Sequence, residues 1–341
     1  MPECGSQVWL CDLPVRFDTY KGCSHGCRYC FAQRKADITK ISRGEGVEAL
    51  KNFCEGNRNA VTSWCDWKIP LHWGGMSDPF QPCEAKYRNT YECLKYLAKS
   101  QYPFIVSTKG RLVAADEYLD LLARCNCVVQ VSAVCSAYDK LERGCPSYEE
   151  RVKIINKVSK RVKRTIVRIQ PYMHEVYEQV FHNMERLAEA GAYGVIVEGM
   201  KFASKKKGLV KVAGDFCYPY EVIKDDFVRL KEEAHRVGLK CYAGENRIRE
   251  LGDSLTCCGV DGLDGFKPNH FNMNHLMRGE KVEPTIQQAA EGTGTCFKAV
   301  NQKAGTNKKT TGQSFARNML EYGKLSRQTI EEAFGMGANR K

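Results

Sequence analysis

Three cysteines carry the most specific chemistry in this chain. Within YKGCSHGCRYCFAQR, Cys23, Cys27 and Cys30 follow one another at intervals of three and then two residues. Thiolates at that density, on a loop punctuated by Gly22 and Gly26, can wrap one small metal centre, because glycine lets the backbone turn tightly around it. A closed zinc or cluster site uses four protein ligands, whereas three leave a coordination position for water or substrate. The pattern therefore points to an open, reactive centre. Packed thiols, or part of a zinc site completed by His25 or a remote cysteine, are the other readings these residues allow.

The elements that must position this loop are legible as alternating β-rich and helix-periodic runs, the pattern of repeated βα units around a parallel sheet. Strands are predicted at Val15–Thr19, Ile69–Trp73, Phe104–Thr108, Val128–Val134, Thr165–Ile169 and Val195–Glu198, with an extra one at Leu239–Ala243. Helices are predicted at Tyr87–Lys99, Ala114–Arg124, Glu149–Arg161, Val176–Ala190 and Asp225–Val237. Six units are fewer than the eight of a closed barrel, so the expected fold is α/β, a partial parallel (β/α)6 barrel over residues 1–280 with a C-terminal extension at 281–341 ending in a helix near 314–334. Right-handed crossovers bring every strand C-terminus to one end. Polar residues at those ends (Ser107, Thr108, Lys109, Ser132, Arg168, Gln170 and Glu198) are accordingly candidates to face a ligand.

Composition narrows the class. The 341 residues are 43% hydrophobic and 27% charged, with 29 Gly and 11 Pro, which excludes disordered and fibrous chains. No apolar stretch reaches about 18 residues and the N-terminus lacks a signal-peptide pattern, so a cytoplasmic protein with no membrane partner is expected. There the 18 cysteines serve metal, redox or packing roles and not disulfides. A formal charge of +12 favours an anionic partner such as nucleic acid or a phosphorylated substrate. Two basic runs, Lys153–Arg168 and Lys201–Lys211, and Trp64, Trp67 and Trp73 as stacking surfaces would serve it, although solvated helix faces and core packing are the more ordinary accounts of them.

Cys-x3-Cys-x2-Cys with Tyr29 before the last cysteine resembles the radical S-adenosylmethionine superfamily, and the string GCSHGCRYCFA resembles its spore photoproduct lyase-like branch. Ser77-Asp78-Pro79-Phe80-Gln81-Pro82 resembles that branch's Thr-Asp-Pro-Tyr-Gln-Pro stretch, though Asp-Pro alone also nucleates a β-turn. The resemblance covers residues 15–270. It implies a 4Fe–4S cluster on Cys23, Cys27 and Cys30, its fourth iron chelated by S-adenosylmethionine. One electron would then cleave the sulfonium, and the resulting 5′-deoxyadenosyl radical would abstract hydrogen from a substrate, with a nucleic acid or nucleotide a candidate. It further implies that Gly74 and Gly75 meet the methionyl end of the cofactor, that Ser132 and Arg168 contact the rest of it, and that a flavodoxin or ferredoxin supplies the electron. No motif marks a hydrogen-donor residue. Cys217, Cys241, Cys257, Cys258 and Cys296 could supply a second cluster, but their irregular spacing favours ordinary thiols. A structural zinc- or cluster-containing nucleic-acid-binding protein and an electron-transfer protein are the alternatives.

Overall fold

The computed structural model describes residues 3–4, 11–34, 36–57, 69–212, 215–270 and 272–276. Its centre is a sheet whose seven parallel strands lie in sequence order: β1 (Val15–Phe17), β2 (Leu71–Trp73), β3 (Phe104–Thr108), β4 (Cys127–Ser132), β5 (Arg164–Tyr172), β6 (Gly194–Gly199) and β7 (Lys240–Ala243). A two-residue strand, Glu3–Cys4, adds antiparallel to the outer edge of β1. β1 and β7 do not pair, so the barrel is open. The six expected units are present, and the extra strand joins the sheet beside β6. Helices α1 (Val47–Cys54), α2 (Asn89–Ser100), α3 (Asp116–Leu122), α4 (Tyr148–Ser159), α5 (Tyr177–Glu189) and α6 (Tyr220–Arg236) pack on the outer face. The expected extension at 281–341, with Trp64, Trp67 and Cys296, lies outside the described residues.

Alternation along the strands builds the two faces. Val15, Phe17, Leu71, Trp73, Phe104, Val106, Val129, Val131, Val167, Val195 and Cys241 point outward into the core under the helices. Inward, Ile105, Val128, Ile166, Ile196 and Tyr242 form an apolar layer plugged by Leu13, Cys258, Val260 and Phe266. One inward step closer to the strand C-termini the residues turn polar: Ser107, Gln130, Arg168 and Glu198; on the first two strands the inward positions in register with Ile105 are already polar, Arg16 and His72. The barrel therefore has an apolar floor and a polar upper lumen. Trp73 is fully buried in the outer core and donates to Thr19 Oγ1 at 3.3 Å, so it offers no stacking surface.

One buried ion pair fixes the end of β4. Ser147 and Glu150 cap α4 reciprocally, and this helix carries Arg151, wholly buried, which pairs with buried Glu142 at 2.6 Å and donates to the Ser132 carbonyl at 2.9 Å. Removing one partner of such a pair strands a charge in a low dielectric. Arg151→Met is expected to lower the unfolding free energy by about 3–5 kcal/mol in urea titrations.

Candidate functional site

The cysteine loop leaves β1 through a two-residue strand, Tyr20–Lys21, and lies at the C-terminal mouth of the barrel. Gly22 has φ 75°, and a Cβ there would meet the Lys40 carbonyl oxygen at 2.5 Å, so this turn admits only glycine. Two residues from the segment after β2 hold the loop. Gln81 accepts from the Ser24 amide at 2.9 Å and donates to the Gly22 carbonyl at 3.1 Å. Asp78 lies 3.1 Å from His25 Nε2, while His25 Nδ1 meets the Gly144 carbonyl at 2.9 Å. Asp78 also accepts from Thr108 Oγ1 at 2.7 Å, the Lys109 amide at 2.6 Å and the Phe80 amide at 2.8 Å. The Asp-Pro turn is thus present, and the same carboxylate does more. Burial opposes its charge, but His25 and the hydrogen-bond donors outweigh it and hold its pKa below the usual range.

Tyr29, the aromatic before Cys30, donates to Glu142 and packs edge-on against Tyr138 at 5.8 Å. Lys109 lies 3.9 Å from Glu142 and 5.8 Å from the Tyr29 ring centre. Cys27 Sγ is 3.7 Å from Cys145 Sγ, and that hydrogen bond, opposed by burial and helped by Lys109 and His25, brings the Cys27 thiol down to about 6. Burial and the Asp78 charge push Cys23 up to about 12. A lowered thiol pKa favours the thiolate, the ligating form of cysteine.

The donor set fits an iron–sulfur cluster better than one ion. Among the described residues, the only three metal-type ligand atoms within 4.8 Å of one another belong to Asp12, His270 and His275, so the three loop sulfurs are not gathered for a single zinc ion. His25, the candidate fourth zinc ligand, has both ring nitrogens engaged. A cluster does not need that closeness, because its ligating sulfurs sit on different irons.

Gly74 and Gly75 follow β2 directly at this mouth. Gly74 has φ 88°, and a Cβ there would stand 2.5 Å from the Ser107 carbonyl oxygen. The sequence did not single out Asp18, whose carboxylate accepts from the Met76 and Ser77 amides at 3.2 and 3.1 Å and shapes this turn. Burial, only partly offset by those amides and by Arg16, raises its pKa to about 6. Arg168 donates to Gln130 Oε1 at 2.7 Å and Ser107 Oγ at 3.4 Å, and also to Gln170. Gln170 donates to Glu198 at 2.6 Å, and Glu198 pairs with Lys201 at 2.8 Å. Four strand-end candidates thus join one lumen network, and Ser132 stands two residues beyond Gln130 at the end of β4. Thr108 and Lys109 instead buttress the cysteine loop. Arg16 and His72, also unforeseen, bond each other in the lumen, where burial followed by the charges of Arg16 and Arg168 keeps His72 neutral.

The remaining expectations divide. Cys241 lies in the outer core and Cys258 in the lumen floor, on opposite faces of the sheet, so the later cysteines are not assembled into one group among the described residues. Much of the first basic run is neutralised within the fold: Lys157 pairs with Asp116 at 2.7 Å, Arg161 with Asp120 at 2.6 Å, and Arg164 caps the Gly259 and Asp261 carbonyls. The second run borders the mouth, where Lys205, Lys206 and Lys207 are exposed. Arg34, just beyond the cysteines, reaches that border through Asp215 at 2.5 Å and the Lys201 carbonyl at 2.8 Å. No helix among the described residues is long and apolar enough to cross a membrane.

Comparison with known proteins agrees with this architecture. No protein-family profile matches the chain. Uncharacterized proteins of Mycobacterium tuberculosis and Mycobacterium bovis are 28% identical over 214 residues, 58% of this chain; the match spans 62% of their length, less than two thirds. Among solved structures, a spore photoproduct lyase variant with bound AdoMet and dinucleoside spore photoproduct has a TM-score of 0.51 at 17% identity, covering 68% of this chain and 76% of that one. Streptococcus suis SuiB bound to S-adenosylmethionine has a TM-score of 0.51 at 12% identity, covering 69% and 51%. The fold is that of these proteins, a partial α/β barrel.

Two substitutions test the turn beside the loop. Gly74→Ala forces a side chain into the left-handed region against a carbonyl and is expected to cost at least about 1–2 kcal/mol in urea denaturation. Asp18 holds its proton to higher pH when folded than when unfolded, so the stability it contributes is full below pH 4 and is lost as pH rises towards 6. Relative to Asp18→Asn, the native protein is expected to lose up to about 3 kcal/mol across that window, measured by urea titration at each pH.

Proposed function

We propose that this chain is a radical S-adenosylmethionine enzyme that cleaves the cofactor reductively and acts on a nucleotide-type substrate. The observation that carries the reading is the cysteine loop at the C-terminal mouth of an open parallel barrel, locked by Asp78 and Gln81 above a polar lumen. Cys23, Cys27 and Cys30 would hold a 4Fe–4S cluster. Bound there, the cluster would supply one low-potential electron to the sulfonium of S-adenosylmethionine, delivered to it by a flavodoxin or ferredoxin.

The residues around it would bind and orient. Gly74 and Gly75, with no side chain to intervene, let the β2 end approach the methionyl group closely. Arg168 and Ser132 would hold the polar parts of the cofactor, with Arg168 exchanging one of its present partners for a ligand oxygen. Lys205, Lys206 and Lys207 at the rim would attract phosphate. The +12 charge and the spore photoproduct lyase neighbour with its bound dinucleoside photoproduct favour nucleotide over peptide.

Anaerobic reconstitution with iron, sulfide and dithionite is expected to give 5′-deoxyadenosine from S-adenosylmethionine. Alanine at Cys23, Cys27 or Cys30 should abolish both iron retention and product. Arg168→Ala should keep its iron and raise KM for S-adenosylmethionine about tenfold or more, as expected for a lost charged hydrogen bond. An intact, reducible cluster that releases no 5′-deoxyadenosine would overturn the proposal.

A further inference from the structure

At the opposite end of the barrel, before β1, Asp12 meets two histidines from the far end of the described chain. Its carboxylate is 2% exposed and lies 3.1 Å from His275 Nε2, itself 4% exposed, and 3.7 Å from His270 Nε2. The three ligand atoms all fall within 4.8 Å of one another. The carboxylate is oriented from behind by Thr256 Oγ1 and by Asn272 Nδ2, the latter at 2.9 Å, as outer partners orient a ligating carboxylate. The Asn269 amide donates to the Asp12 carbonyl at 2.7 Å, anchoring the chain that brings both imidazoles in.

Two features separate this group from an ordinary hydrogen-bonded triad. The imidazole rings are stacked with centroids 4.4 Å apart and planes 19° apart, so protonating both would set two cations face to face. Both Nε2 atoms converge on the one Asp12 carboxylate, His275 at 3.1 Å and His270 at 3.7 Å from Oδ2. A divalent ion seated among the three would take a lone pair from each. In addition, His270 is 45% exposed, and it and His275 line a cleft of about 330 Å³ with Ser254, Thr256, Asp261 and Phe266, which provides a route in and space for a further ligand.

We propose that Asp12, His270 and His275 bind a divalent first-row transition metal, Zn2+ foremost, at a three-ligand site whose open position faces this cleft. The two imidazoles are borderline donors that suit Zn2+ and disfavour Mg2+ and Ca2+, and the harder carboxylate completes a set that zinc also accepts. The ion would pin His270 and His275 to the chain entering β1, and water or an anionic oxygen would fill the fourth position. The site is independent of the cysteine loop and of the activity proposed above.

The test must exclude the cysteines, so it uses the full-length chain with Cys23, Cys27 and Cys30 all replaced by serine, purified under reducing conditions and stripped with chelator. Titration with Co2+ is expected to give one equivalent with a visible d–d spectrum and no thiolate-to-cobalt charge-transfer band, and Zn2+ should displace it while Mg2+ does not. His270→Ala, at a half-exposed position that should still fold, is expected to weaken binding by at least about tenfold and to remove the zinc-dependent rise in Tm. Asp12→Asn and His275→Ala should do the same, their folding checked by circular dichroism. A charge-transfer band, no stoichiometric binding, or affinity unchanged in His270→Ala would overturn the proposal.

Discussion

The Asp78 carboxylate is the constraint from which the rest of the mouth is arranged. It is nearly buried, and a charge in that position is tolerable only when nearby donors replace the water it has lost. Its donors come from three places: His25 in the cysteine loop, Thr108 and Lys109 at the end of β3, and Phe80 in its own turn. Moving any one of these elements would leave a buried charge short of partners, so the electrostatic requirement becomes a positional one. Gln81 adds a neutral bridge from the same segment to Gly22 and Ser24. A loop rich in glycine, which would otherwise lose much conformational entropy on ordering, is thereby pinned on both sides of Cys23.

The lumen obeys the same economy. Parallel strands are buried on both faces, and the inward residues are apolar near the strand N-termini and polar near the C-termini. Each polar side chain there is tied to another, from Ser107 through Gln130, Arg168, Gln170 and Glu198 to Lys201. A ligand reaching Arg168 therefore exchanges partners with an existing network instead of filling an unsatisfied one. Such exchange favours ligands that carry their own oxygen acceptors, since an apolar group would leave Arg168 underpaired.

The sequence revealed strands and helices well because both periodicities are strong: β3 is Phe104–Thr108 as predicted, and the predicted helix at 149–161 is α4, Tyr148–Ser159. It revealed the site unevenly. Spacing exposed Cys23, Cys27 and Cys30 because the signal is local. Arg16, Asp18 and His72 escaped because β1 and β2 are three residues each, too short for alternation to declare which side chain turns inward. Cys145 escaped notice because its neighbour, Cys27, is distant in sequence. The basic run at 153–168 read as a candidate anion surface because its partners Asp116 and Asp120 lie on a different helix, α3.

An open barrel must also close its floor, and here later chain does so. Arg164, at the start of β5, holds the Gly259 and Asp261 carbonyls at 2.7 and 2.9 Å, and Gln130 donates to the Cys258 carbonyl at 2.8 Å. Those bonds satisfy irregular backbone that would otherwise be buried unpaired, which lets Cys258, Val260 and Phe266 pack against Ile105, Val128 and Ile166. With the floor filled by apolar packing, the lumen opens towards the strand C-termini. That is the end where the cysteine loop, the Gly74 turn and the exposed Lys205–Lys207 rim all lie, so all three open onto one direction of approach. The same floor segment supplies Thr256 to Asp12, so the chain that seals the lumen also builds the cleft beneath it.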